Sequence, residues 1–171
     1  MIEIDKNLFV GNLIDFENNQ FDLDYYFVQA CKEPCHRKAL GYTGRAADEN
    51  HPEYLIARRE RKIILNMIDP PTGKYFENVM FETSLAFIDE NLQREKKVLI
   101  HCNQGISRSP SIGLLYLATK RKIRSENFMA AEEDFIKIYP HYSPSGIKEF
   151  LTLNWDYYFK SLDLWVNNVQ P

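Results

Sequence analysis

Cysteine is scarce in this chain: Cys31, Cys35 and Cys102 are the three in 171 residues. A small, odd number argues against a secreted, disulfide-stapled scaffold. No apolar run approaches the length of a bilayer span. Met1-Ile2-Glu3 opens directly on acidic, folded-looking sequence, without the basic stretch and apolar core of a secretory leader. Repeats, low-complexity tracts and linker-like segments are lacking too. A formal net charge of −3 gives the molecule no general attraction for nucleic acid. These absences lead us to expect a soluble, cytoplasmic protein in a reducing compartment, with neither nucleic acid nor membrane as partner. What is present suits one globular domain: 44% hydrophobic and 26% charged residues exclude disordered and fibrous classes.

Charge is unevenly spread. Residues 31–62 hold eight Lys/Arg against five Asp/Glu, a local +3 that leaves −6 for the rest. Such a segment is either a solvated loop or the footprint of an anionic partner.

The element order follows from pattern. Ile2 to Val10 reads as a strand pair broken at Gly11-Asn12, and Tyr25–Val28 as a β-prone run. Residues 31–54 read as a long loop, with a short helix over Glu53–Arg61. Ile63–Ile68 is a strand stopped by Asp69-Pro70-Pro71. Phe81, Leu85, Ile88 and Leu92 recur at helical spacing. Val98-Leu99-Ile100 is a strand apolar enough to be covered on both faces, and Ile112–Leu117 a buried helix. Ser125 is expected to cap the next helix. Ser143-Pro144 is expected to open the last one, whose face is Ile147, Phe150, Leu151 and Asn154. Strands separated by helices predict an α/β fold with a mostly parallel central sheet flanked by helices.

The most informative stretch is VLIHCNQGISRSPSIGLLYLATK, residues 98–120. Cys102 falls where a buried strand ends and Arg108 where a helix begins. Gly105 can take backbone angles closed to other residues. The first amides of a helix lack internal partners and carry its positive dipole end, so a loop wrapped around them is an anion cradle. Arg108 adds a two-pronged cation that matches phosphate oxygens. The same field favours the thiolate of Cys102 at neutral pH. A thiolate in a phosphate cradle is a nucleophile aimed at phosphorus. The bland alternative is a buried cysteine in a strand–helix turn, with Arg108 in a surface ion pair.

HCNQGISRSP closely resembles the signature of cysteine-based protein tyrosine and dual-specificity phosphatases, the small dual-specificity group above all. The resemblance implies a dual-specificity phosphatase-like fold, no cofactor and no metal. It implies Cys102 as nucleophile, with Arg108 binding phosphate and stabilising the transition state. Asn103, Gln104, Gly105, Ile106 and Ser107 would line the phosphate. Ser109 would assist breakdown of the thiophosphate, and His101 would orient the loop. The family also carries an aspartate as general acid about thirty residues earlier, at a strand end. Asp69 stands at that kind of spacing, where Pro70-Pro71 would stiffen its loop. Asp89 and Glu90 are poorer candidates because they fall within a helix. The similarity extends over residues 1–158, through IDKNLFVGN and IYPHYSPSGIKEFL, with 159–171 as a C-terminal tail. It is weakest between 29 and 60.

Segment 31–59 departs from typical members and is similar to what small bacterial and phage members carry. There Lys32, His36, Arg37 and Arg45 are candidates for a second anionic group on the substrate, or simply face water. Family members can protect the nucleophile by a disulfide to a second cysteine, which makes Cys31 a possible redox partner of Cys102. Cys31-x3-Cys35-His36 lacks the further ligand a closed zinc site requires. The expected activity is hydrolysis of phosphotyrosine, phosphoserine or phosphothreonine in proteins. The alternatives are the same chemistry on a nucleotide or inositol phosphate, or a non-catalytic phosphate-binding module. A sulfur-transfer enzyme of rhodanese type is disfavoured by the loop length and by Ser109.

Overall fold

The computed structural model describes residues 1–167, with side chains described as far as Lys160. Six strands form one sheet in the order β1-β2-β6-β3-β5-β4. They are β1 (Ile2–Asp5), β2 (Leu8–Gly11), β3 (Tyr25–Gln29), β4 (Ile56–Arg59), β5 (Lys62–Leu65) and β6 (Lys97–His101). The four central strands run parallel. The edge strands β1 and β4 are antiparallel to their neighbours. The α/β class with a mostly parallel sheet thus holds.

Alternation along the strands divides the core between two faces. Val28, Ile63, Leu65, Val98 and Ile100 pack with residues of helices α3 (Asn78–Gln93), α4 (Arg108–Thr119), α5 (Phe128–Ile138) and α6 (Ile147–Asn167). Helix α4 lies at the centre of this layer and is buried from Arg108 to Ala118, so it needs no polar stripe. Pro110 is tolerated because the amides of a helix's first turn have no internal partners. Tyr25, Phe27 and Leu99 face the other way, against Phe16 of the short helix α1 (Leu13–Asn19). Asn12 and Asp15 close a reciprocal capping box at the start of α1. Among the described residues, no helix is long and apolar enough to cross a membrane.

Four local expectations need correction. Glu53–Arg61 is not helical: Ile56–Arg59 forms β4 and pairs with β5 as a hairpin, which buries Ala57. Residues 31–54 are not a uniform loop. They open with a wide turn over Lys32–His36 and continue as α2 (Arg37–Leu40). The cap of α5 is Asn127, not Ser125, because its side chain accepts from the Ala130 amide. Helix α6 begins at Ile147, not at Pro144. The Ser143 amide instead donates to the Ile106 carbonyl, and the Ser145 amide to Ser107 Oγ. Helix α6 runs past residue 158 to Asn167, and the last four residues of the expected tail lie outside the described ones.

His101 ends β6 in a dry setting. Its ring stacks on Phe16 at 4.7 Å, and its Nε2 lies 3.0 Å from Gln29 Nε2. With the Gln29 amide as donor, Nε2 is the acceptor. Burial pushes the imidazole pKa down to about 4, against a smaller opposing pull from the Cys102 backbone. The unfolded chain takes this proton near pH 6.5, well before the folded one does. His101 therefore leaves stability unchanged above that pH. As pH falls from there toward about 4, it removes up to about 1.4 kcal/mol per pH unit. Urea unfolding at stepped pH should show this slope, and His101→Asn should flatten it.

Candidate active site

Parallel strands bring three strand ends to one edge of the sheet. Residues 66–69 follow β5, residues 102–107 follow β6, and Cys31 follows β3. Strand β3 lies between β5 and β6, with Gln29 level with both Ile64 and His101. The acid candidate and the cysteine thus do not sit on adjacent strands. Strand β3 lies between theirs, and the turn after it contacts both following loops, through Met67 and Asn103.

The loop 102–107 owes its shape to outward hydrogen bonds. The Asn103 carbonyl accepts from the Leu13 amide, and that of Ile106 from the Ser143 amide. The Gly105 carbonyl accepts from the Tyr139 hydroxyl at 2.7 Å. The Ser107 carbonyl accepts from the amide and hydroxyl of Ser111. Carbonyls turned outward leave the loop's amides directed inward, as an anion nest requires. Gly105 adopts φ +76°, and a Cβ there would lie 2.9 Å from the Gly11 carbonyl oxygen. No other residue meets both constraints.

Cys102 lies at the base of this loop, 1% exposed. The Gly105 amide donates to its Sγ at 3.3 Å. Ser109 Oγ stands 3.2 Å from the sulfur and 3.0 Å from the Gly11 carbonyl, so its single proton can serve either. Arg108 forms the wall. Its Nη1 donates to the Met67 carbonyl at 3.0 Å and its Nη2 to Asn103 Oδ1 at 2.8 Å. Its Nε is buried and has no hydrogen-bond partner. A buried guanidinium N–H left without a partner is costly, and an oxyanion in the loop would satisfy it.

Asp69 approaches from the β5 side. Its Oδ1 accepts from Ser107 Oγ at 2.9 Å, and its Oδ2 lies 3.7 Å from Arg108 Nε. Its loop is pinned more than stiffened. The Pro70 carbonyl accepts from the Gly146 amide and the Ser145 hydroxyl, and the Gly73 amide donates to Glu149. Gly146 is needed for this: a Cβ there would come within 2.4 Å of Thr72 backbone atoms. Asp89 points elsewhere, to Tyr116 and Lys120.

The structure therefore gathers Cys102, Asn103, Gly105, Ser107, Arg108, Ser109 and Asp69, with Gln104 and Ile106 exposed on the rim. The residues of segment 31–59 divide. Arg37 is corrected: its guanidinium clamps Glu33 at 2.7 Å through two nitrogens and also donates to the Tyr42 and Gly44 carbonyls. It is a staple within the segment. His36 is buried and faces the Glu53 carbonyl. Arg45 is exposed. The Lys32 amide donates to the same Met67 carbonyl that holds Arg108, which puts Lys32 at the site's edge. Cys31 is corrected as well: its sulfur is joined to that of Cys35, and Cys102 is free. Tyr139, Ser143, Ser145, Gly146 and Met67 were not singled out as site residues from the sequence. Most act through backbone atoms or hold backbone atoms, which leaves no side-chain pattern to read.

The comparisons agree with this geometry. A family model described as dual specificity phosphatase, catalytic domain, matches residues 48–137, just over half of the chain. The Plasmodium falciparum dual specificity protein phosphatase YVH1 is 39% identical over 64 residues, covering 36% of this chain and 10% of its own. Human dual specificity protein phosphatase 2 is 37% identical over 71 residues, covering 39% and 21%. The aligned parts thus span between a tenth and about a fifth of these relatives. Among solved structures, DUSP15 superposes with a TM-score of 0.67 at 16% identity, over 100% of this chain and 97% of that one. The Yvh1 phosphatase domain from Chaetomium thermophilum gives 0.58 at 20% identity, over 91% and 94%. At such identities the likeness is one of fold, and together with the matched family model it places this chain in the dual-specificity phosphatase catalytic-domain family.

Proposed function

We propose that the chain hydrolyses phosphate monoesters, with phosphotyrosine, phosphoserine or phosphothreonine side chains of proteins as substrates, through a phosphocysteine on Cys102. One observation carries this reading. A sulfur accepts from a loop amide at the base of the loop, beside a buried guanidinium whose Nε has no hydrogen-bond partner and lies 3.7 Å from Asp69 Oδ2.

The phosphate would enter the loop with its oxygens on the amides and on Arg108. Cys102 Sγ attacks phosphorus opposite the ester oxygen. Asp69, at the mouth, gives that oxygen its proton as the P–O bond breaks. Arg108 Nε is placed to hold charge that spreads over the equatorial oxygens. In the second step Asp69 takes a proton from water as the water attacks the phosphocysteine. The sulfur departs as a thiolate, and the Ser109 hydroxyl can turn from Gly11 to donate to it. His101 holds the strand end and stays neutral through the cycle. Lys32 and Arg45 are retained as candidates for a second anionic group on the substrate. A thiolate nucleophile of this kind fits a cytoplasmic setting, which we include in the proposal.

Turnover of p-nitrophenyl phosphate should persist in EDTA and be blocked by vanadate. Cys102→Ser should abolish it while retaining oxyanion binding, and full activity in that variant would end this reading. Asp69→Asn should lower kcat by about 10²–10⁴-fold for alkyl phosphates, with a smaller loss on p-nitrophenyl phosphate, whose leaving group needs little protonation. Arg108→Lys should raise KM and lower kcat together, since an ammonium lacks the planar fork. Gly146→Ala should displace the Asp69 loop and lower kcat most for poor leaving groups, at a stability cost of about 1–3 kcal/mol.

A further inference from the structure

The turn after β3 reaches both anchors of Arg108. Its Lys32 amide donates at 2.9 Å to the Met67 carbonyl, which also takes Arg108 Nη1. Its Glu33 carbonyl accepts from Asn103 Nδ2 at 2.7 Å, while Asn103 Oδ1 takes Arg108 Nη2. One rung further in, the Ala30 amide donates to the His101 carbonyl. Each nitrogen that fixes the guanidinium is therefore one hydrogen bond removed from residues 32 and 33. Those residues lie inside the ring closed by Cys31 and Cys35, whose Cα atoms are 5.7 Å apart, a normal disulfide separation.

The two sulfurs differ in access. Cys31 is fully buried and packs with Ala57 and Ile64. Cys35 lines a cavity of about 460 Å³ on the α1 face, together with Leu13, Phe16, Pro34 and Lys38. None of the residues 102–108 lines that cavity. Cys35 is 7% exposed, so the approach to this pair is through that cavity and not through the phosphate loop.

We propose that Cys31 and Cys35 are a second redox site, separate from Cys102, whose disulfide form locks the turn that positions Arg108 and so tightens oxyanion binding. Formation needs an external disulfide such as glutathione disulfide. The Cys35 thiolate attacks one of its sulfurs and expels one thiolate. Cys31 then loses its proton and attacks Cys35 Sγ, expelling the second. The protein dithiol is oxidised and the external disulfide is reduced to two thiols. Reduction runs the same exchange backward. The sign is opposite to that of oxidation at Cys102, which would consume the nucleophile.

This proposal rests on the phosphate-cradle reading above, and its test avoids catalysis. In a Cys102→Ser background the remaining cysteines are Cys31 and Cys35. Tungstate binding is measured calorimetrically at 25 °C on protein oxidised with glutathione disulfide, and on protein reduced with dithiothreitol and desalted. Intact mass verifies each state, and a thermal melt accompanies each. The disulfide form should bind tungstate about fivefold more tightly, the scale of one hydrogen bond's net worth. Adding Cys31→Ser and Cys35→Ser should give the weaker value under both conditions. A disulfide that merely braced the fold would move the melting point and leave the dissociation constant unchanged. Equal affinities in the two states, or failure of the dithiol to oxidise, would overturn the proposal and leave the cradle intact. No tungstate binding in any state would overturn both.

Discussion

The site depends on which way six peptide groups face. A loop that turned its carbonyls inward would repel phosphate whatever side chains it carried. Here four of those carbonyls are held outward by donors from other parts of the chain: the Leu13 amide at the start of α1, Tyr139 after α5, Ser143 before α6, and Ser111 within α4. The anion site is therefore made as much by the packing of α1, α4, α5 and α6 as by the loop itself. Leu13 follows β2 at the edge where the parallel strands end, and the other three donors come from α4 and the α5–α6 connection. The buried helix α4 then carries Arg108 directly from that edge into the core.

Charge placement follows from the same packing. The Arg108 guanidinium spends two of its nitrogens on protein acceptors and keeps a third buried without one. That arrangement is unfavourable for the protein alone and favourable with an oxyanion in the loop. It is local strain of the functional kind, offset by the apolar burial around α4. Asp69 is held nearby through Ser107 and pairs with the guanidinium at 3.7 Å, too long for a hydrogen bond to Nε.

Much of this could be read in the residues. Val98–Ile100 is apolar without alternation, and Gly105 and Pro110 mark the turn and the helix start, so the nucleophile loop was legible. Asp69 was legible as the polar residue that ends an apolar strand before two prolines. Other parts were hidden for physical reasons. Ile56–Arg59 carries little strand signal of its own and is β because β5 offers an open edge with which to pair. Ser143 looks like a helix cap, yet its amide and that of Ser145 bond to the phosphate loop, a long-range demand that no local pattern reveals. The order of β3 between β5 and β6 is likewise a tertiary fact. It brings the turn at 31–35 against Met67 and Asn103, the two residues that hold Arg108.

Residues 139–146 touch both sides of the chemistry. Tyr139 and Ser143 grip the nucleophile loop, while Ser145 and Gly146 grip the loop that bears Asp69. A single strip of backbone thus works as a tie-bar across the reaction centre. The loop that bears Asp69 is thereby tied to the phosphate loop through this strip as well as through Ser107. The spacing of proton donor and nucleophile is in this way a dimension of the scaffold, fixed by a connection that carries no reacting group.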